Sequence, residues 1–505
     1  MRDMRRFDAR GGSASGNDDC GPRIRRLRSS RIGRNTRRRA RFRGGGVCAS
    51  VPDGGARFSG FGRNVMKILH LVPGSGGSFY CQNCLRDYAI VRALRSLGHD
   101  AVIVPLYLPM FDPQMAAESA APIFFGGINA YLRERIPLYR KAPRWVERFL
   151  DARWILRRIA SREGTTKAAD LGSMTLSMLN GLDGNQRKEY ERFLAWLDTQ
   201  EKPDIVHISN ALLLGFAPAI RNTLGVPIVC GLQDEEPWVD AMREPHSRLC
   251  WDALAERGRD VAAFVSTSRW YAGRMIDRMH IPPGRMHVVY PGIDAAHIRP
   301  VDLSFNPPTI GYLARINETQ GFADVLDAFM LLKREPAFAS LRLHATGGAM
   351  PADRAFLASV QIRLRKAGLE KAVQIDREFQ TLPRPDYFDG LSVMSTPVRG
   401  GEAFGLQLIE AMARGIPVVQ PNVGSYPEIL AEDGGLLYDS KETDGLANAL
   451  RSILSNPDYA RELGSRGREV VQERFNINRA AREMIGVYES VRSLLAAQRQ
   501  QIVAV

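Results

Sequence analysis

From Met66 onward the chain alternates short apolar runs with stretches of helical periodicity. Residues 67–73 (KILHLVP) read as a strand buried on both faces. Residues 84–100 (CLRDYAIVRALRSLGHD) read as an amphipathic helix stopped by Gly98 near a C-cap position. A second strand follows at 101–107 (AVIVPLY). Further strands at 204–209 (DIVHIS), 227–233 (PIVCGLQ) and 262–268 (AAFVSTS) each precede a helical stretch. Such alternation predicts a parallel sheet with helices on both faces.

The rhythm breaks and then restarts. Residues 288–308 are rich in Pro and turn residues and read as a linker between domains. Beyond them come apolar runs at 309–315, 341–347, 371–376, 391–397 and 416–421, with helices near 321–334 and at 406–414. The expected fold class is α/β: two Rossmann-like, doubly wound parallel-sheet domains facing a cleft, with ligands at the carboxyl ends of the strands. The expected boundaries are 66–295 for the first domain, 306–475 for the second and 476–505 for a C-terminal helix. Residues 131–200 interrupt the first domain as a helical insertion. Segment 131–165 mixes Arg with Trp, Phe, Leu and Ile. It reads either as a helical layer with core aromatics or as a docking surface for an acceptor or a membrane face.

Charge changes this picture at one end only. Of the net +14, residues 1–65 hold 17 Arg against 5 Asp, with no Lys or Glu, which leaves +2 for the other 440 residues. A near-neutral body argues against specific nucleic-acid binding by the folded part. The Arg-rich tail has no apolar period and is expected to be disordered. It reads as a basic arm, as an organelle-targeting segment, or as a stretch outside the native protein, whose start would be Met66. No apolar run reaches the length of a membrane-spanning helix. The six cysteines make a poor disulfide framework for 505 residues, which points to a reducing, cytoplasmic location. Peripheral contact with the inner face of the membrane, through 131–165, is the variant of that reading. Cys81 and Cys84 form a C-x-x-C without a further ligand pair at a convincing spacing for zinc, so they read as two packed thiols at a helix start or as a redox pair.

The stretch GGEAFGLQLIEAMARGIPVV (400–419) carries the candidate chemistry. Gly405 opens a short helix, Gly415 closes it and Pro417 forbids its continuation. The Gly-rich loop before it (VRGGEAFG, 398–405) brings free amides to the positive end of the helix dipole, which suits a diphosphate. Glu402 on the loop and Glu410 in the helix would flank that group, and carboxylates accept hydrogen bonds from sugar hydroxyls. The plainer reading stays open on this stretch alone: Glu410 pairs with Arg414, and Glu402 complements the helix dipole.

This stretch resembles the E-x7-E signature of retaining glycosyltransferases of the GT-B fold, the family 4 or group 1 type. Phe404-Gly405, Glu410–Ala413 and the run GIPVVQPNVGSYPEIL (415–430) share in the likeness, which covers about 66–490. The resemblance implies transfer of a sugar from a nucleotide-diphosphate sugar, as co-substrate, to an unknown glycan, lipid or small-molecule acceptor. It implies neither cofactor nor metal. Glu410 would hold the ribose hydroxyls and Glu402 would contact the transferred sugar. The amides of Phe404, Gly405 and Leu406 would hold the diphosphate. In GYLARINETQGF (311–322), Arg315 lies on the family's Arg that stabilises the leaving diphosphate, and Gln320 stands where the family has Lys. PGSGGSFYCQNC (73–84) resembles the Gly-rich loop after the first strand, with Gly76 and Gly77 admitting a close approach of backbone to donor or acceptor. HATGG (344–348) resembles the loop near the nucleotide base, which places Gly347 and Gly348 there. In CGLQDEEPW (230–238), Gln233, followed by Asp234, stands where many members have His. Gln can bond a sugar hydroxyl but cannot act as acid or base. Residues 475–495 match the family's terminal helix, which packs back on the first domain. Two rivals remain: an epimerase or phosphorylase of the same fold, and a degenerate non-catalytic glycan or nucleotide binder, which Gln320 and Gln233 favour.

Overall fold

A computed structural model describes residues 65–74, 80–107, 170–377, 385–430 and 434–503. The Arg-rich tail up to residue 64, the pair Gly76 and Gly77, and segment 131–165 with its docking reading lie outside the described residues.

The first half carries β1 (Lys67–Val72), α1 (Gln82–Ser96), β2 (Asp100–Pro105), β3 (Ile205–Ile208), β4 (Ile228–Leu232), β5 (Ala263–Ser266), α2 (Arg269–Met279) and β6 (Met286–Val288). Every residue of β3, β4 and β5 is buried, which is why these runs show no polar alternation. The strands are parallel in the order β2-β1-β3-β4-β5-β6. The chain leaves β1 in one direction and returns on its other side at β3, so the sheet's switch point lies between these two strands. Of the stretch read as an insertion, residues 170–200 hold helices Gly172–Leu179 and Arg187–Leu197. Their Leu179, Tyr190, Phe193 and Leu197 are buried in the core of this half.

The second half carries β7 (Thr309–Leu313), α3 (Phe322–Leu332), β8 (Arg342–Thr346), α4 (Arg354–Ala367), β9 (Val373–Ile375), β10 (Val393–Met394), α5 (Leu406–Met412), β11 (Val419–Pro421), α6 (Tyr426–Ile429) and β12 (Leu436–Tyr438). Its four-stranded sheet runs β10-β7-β8-β9, and the β11–β12 pair joins it through a bridge between Met394 and Val418. All these pairings are parallel, and the switch point falls between β7 and β10. The expected α/β architecture is therefore the one the chain adopts, with local differences. Strand β6 extends into the start of the Pro-rich stretch. Val418 makes only an isolated bridge, so β11 is shorter than the apolar run that contains it. Helix α1 starts at Gln82, with Cys81 as its N-cap.

Helix α7 (Ile477–Val503) returns to the first half. Ile477, Ala480, Ala481, Met484, Tyr488 and Val491 recur at helical spacing and join Ile90, Val91 and Leu94 of α1 in one buried cluster. The Tyr488 hydroxyl meets His207 Nδ1 on β3 at 2.8 Å. The two chain crossings run side by side: Ile293 N donates to Phe475 O (2.9 Å) and Ile477 N to Ile293 O (3.0 Å). Among the described residues no helix is long and apolar enough to cross a membrane.

Tyr488 is fully buried where α7 meets the first sheet. Tyr488→Ala is expected to lower the unfolding free energy by about 3–5 kcal/mol in urea titration. A loss below about 1 kcal/mol would show that α7 docks without that anchor.

Candidate active site

The carboxyl ends of both sheets face each other, and the loops at the two switch points meet there. In the second half, the loop between β10 and α5 must fold tightly against the turn before α6. Gly401 has φ 75°, and a Cβ placed on it would lie 2.4 Å from Gly424 Cα. Only glycine fits that approach. The close contact brings the Tyr426 hydroxyl to 2.9 Å from Glu402 Oε1. Gln407 Nε2 donates to the same oxygen at 2.8 Å, and Gln82 Nε2, from α1 of the first half, donates to Oε2 at 2.8 Å. Glu402 is thus 6 % exposed, with three uncharged donors. Burial, with the nearby Asp234 charge, pushes its carboxyl up to about 8, against the pull of those three bonds.

Gln82 uses both ends of its amide. Its Oε1 accepts from the Leu406 amide at 3.1 Å. One of the three amides assigned to a diphosphate is therefore occupied by the protein itself. Among the described residues nothing accepts from the Phe404 and Gly405 amides. Glu410 lies against the Tyr80 hydroxyl, and desolvation pushes its carboxyl up to about 7, opposed by Arg414. Arg414 donates to the Glu410 carbonyl at 2.8 Å. Both acids therefore meet the 80–82 segment of the first half.

Asp234 caps the opposite wall. It adopts a left-handed backbone (φ 59°), and its Oδ1 accepts from the Ala403 amide at 2.8 Å. Burial raises its carboxyl to about 6. Gln233 donates to the Ser209 carbonyl at 2.5 Å, and its buried Oε1 has no partner among the described residues. Gln233, Asp234, Gln82, Arg86, Phe404 and Leu406 line a common narrow crevice.

The remaining candidates sit at the rim. Arg315 follows β7, and its Nε and Nη2 form a forked pair with Asp353, just before α4, at 2.8 Å each. Gly347 and Gly348 follow β8 with positive φ, and Gly347 O accepts from the Tyr80 amide at 2.9 Å. Gln320 is placed through its backbone: its amide donates to Asn317 Oδ1 (2.9 Å) and its carbonyl accepts from Tyr312 (2.9 Å). Cys81 and Cys84 are free thiols, 2.8 Å apart at the start of α1. Tyr80, Gln82, Gln407, Tyr426 and Asp353 escaped the sequence reading. All but Asp353 lay in stretches that carried a signal: Tyr80 and Gln82 in the 73–84 run around the C-x-x-C, Gln407 in the 400–419 stretch and Tyr426 in the 415–430 run.

Two family models match the chain: one described as glycosyl transferases group 1 over residues 296–470, and one as glycosyltransferase family 4 over residues 180–297. The alpha-maltose-1-phosphate synthase of Mycolicibacterium smegmatis is 25% identical over 413 residues, covering 75% of this chain and 98% of that protein. The sucrose-phosphate synthase of Thermosynechococcus elongatus shares the fold at a TM-score of 0.61 and 19% identity, over 85% of this chain and 100% of the other. Anabaena HepE, solved with UDP and glucose, shares it at 0.58 and 16%, over 84% and 100%.

Folding raises the Glu402 carboxyl from its ordinary 4.5 to about 8, so between those values the folded chain holds a proton that the unfolded chain has lost. That contribution to stability is complete below the unfolded value and disappears as pH rises through the folded one. The neutral Glu402→Gln variant is expected to flatten the fall in unfolding free energy between about pH 5 and about pH 8. An unchanged slope would assign the fall to other groups.

Proposed function

Because the chain belongs to the group 1 and family 4 glycosyltransferases, we propose that it moves a sugar, with retention, from a nucleoside-diphosphate sugar to a hydroxyl-bearing acceptor held in the cleft. One observation carries this reading. Glu402 and Glu410 lie on either side of the start of α5, at the switch point of the second sheet, and both meet the 80–82 segment of the first half. That is where an open α/β sheet binds its ligand.

In this reading Glu410 accepts from ribose hydroxyls and Glu402 orders a hydroxyl of the transferred sugar. The Phe404 and Gly405 amides take the diphosphate at the start of α5. Gln82 gives up the Leu406 amide when the donor enters. As the bond between the anomeric carbon and the phosphate oxygen breaks, negative charge grows on the diphosphate. Arg315 and the loop amides face that charge, and the reading assigns no metal to it. Gln233 cannot take a proton at neutral pH. The departing phosphate oxygen therefore removes the acceptor's proton, and attack on the face it leaves gives retention. UDP is the first nucleotide to test, since HepE was solved with it.

Thermal unfolding against UDP, GDP, ADP and TDP, each with and without EDTA, tests the reading. One nucleotide at about 100 times its dissociation constant is expected to add roughly 2.7 kcal/mol and raise Tm by about 3 °C, with no loss in EDTA. Glu410→Ala is expected to abolish the shift. No shift with any nucleotide would favour the non-catalytic binder and place the change from Lys to Gln320 at the root of the loss.

A further inference from the structure

We propose that Glu428 is a positioning residue that latches the two halves of the cleft in the closed arrangement and thereby sets Glu402. Helix α2 belongs to the first half. Its N-cap Ser268 supplies one acceptor, to the Tyr271 amide at 3.1 Å. The two preceding amides find theirs in the second half: Arg269 N donates to Glu428 Oε2 (2.9 Å) and Trp270 N to Glu428 Oε1 (2.7 Å). A helix start leaves its first amides unpaired and carries partial positive charge, so a carboxylate bound across both is held by hydrogen bonds and by the dipole together. The acid comes from the opposite wall of the cleft, so the bonds exist only while the halves are closed.

Two further contacts tie this pair to the site. Tyr290, on the chain crossing, donates to Glu428 Oε2 at 2.7 Å. Its ring packs edge-on against Phe475 and lies 6.5 Å from the ring of Phe404, beside Glu402. Glu428 also shares the short helix α6 with Tyr426, whose hydroxyl bonds Glu402 Oε1 at 2.9 Å. Closure through Glu428 therefore seats both Tyr426 and the loop that carries Glu402 and Phe404. A latch of this kind raises the fraction of molecules competent to bind the donor, and apparent affinity scales with that fraction.

The ligand arm of the test rests on the transferase reading; the scattering arm does not. Glu428→Gln keeps the shape of the side chain but puts an N–H group in place of one acceptor oxygen, so either the Trp270 amide or the Arg269 amide with the Tyr290 hydroxyl loses its acceptor. Its ligand-free radius of gyration by small-angle X-ray scattering is expected to exceed that of the unmodified chain. Saturation with whichever of UDP, GDP, ADP and TDP stabilises the unmodified chain should restore the smaller value. The dissociation constant for that nucleotide should rise about tenfold. Arg269→Pro is the second variant: proline is tolerated at a first helical position after the extended Ser268, and it removes the Arg269 donor together with the guanidinium that lies 5.9 Å over the Tyr290 ring. It should expand the ligand-free chain in the same direction by less. A ligand-free radius unchanged in both variants overturns the latch, whatever the affinity. A radius that rises but is not restored marks damage to the fold and overturns it too. If no nucleotide binds the unmodified chain, the transferase reading fails, and ligand-free scattering alone decides the latch.

Discussion

Glu402 carries its carboxyl group into the closed cleft on three uncharged donors: Gln82, Gln407 and Tyr426. Hydrogen bonds from neutral groups replace only part of the hydration that burial removes, which is why the proton is held so strongly. One of the three donors crosses from the first half, so opening the cleft would strip that bond and return water to the acid. Asp234 does the converse, reaching from the first half to the Ala403 amide beside Glu402. Each wall serves the other's polar groups. A donor must replace those bonds with its own phosphates and hydroxyls, and binding is then an exchange of partners rather than the filling of a void.

The fold makes that exchange possible by placing loops where two sheets turn. Strands buried on both faces leave polar chemistry nowhere to go except their ends. At the ends, the switch points between β1 and β3 and between β7 and β10 open crevices that neighbouring crossovers do not cover. Positive-φ glycines then let loops approach one another more closely than side chains would permit, as Gly401 and Gly424 do below Glu402. Helix α7 packs on the first half, while the helix before it (Pro457–Arg474) packs against α5 of the second through Val470 and Val471.

The sheets and the central helix of the site were legible because their signals are local. Apolar runs such as 309–315 and the Gly-bounded segment 406–414 announce strand and helix within a few residues. Glu402 and Glu410 were readable as a pair because both lie on one loop and helix. Gln82 was not, since its partner Glu402 is 320 positions away in sequence and nothing in CQNC specifies a contact over that range. Arg315 was legible as a charge at a strand end, but its forked pair with Asp353 depends on how α4 is set against β7. Glu428 read as one acid in a run of family likeness. Its role depends on the position of α2 on the other sheet.

A crystal structure of the chain with UDP, or with whichever nucleotide proves to bind, tests the central claim most directly. The account predicts the diphosphate on the Phe404 and Gly405 amides, the ribose on Glu410, and the Gln82 side chain displaced from the Leu406 amide. A nucleotide bound elsewhere, or a Gln82 that still holds Leu406 beside a bound diphosphate, would contradict it.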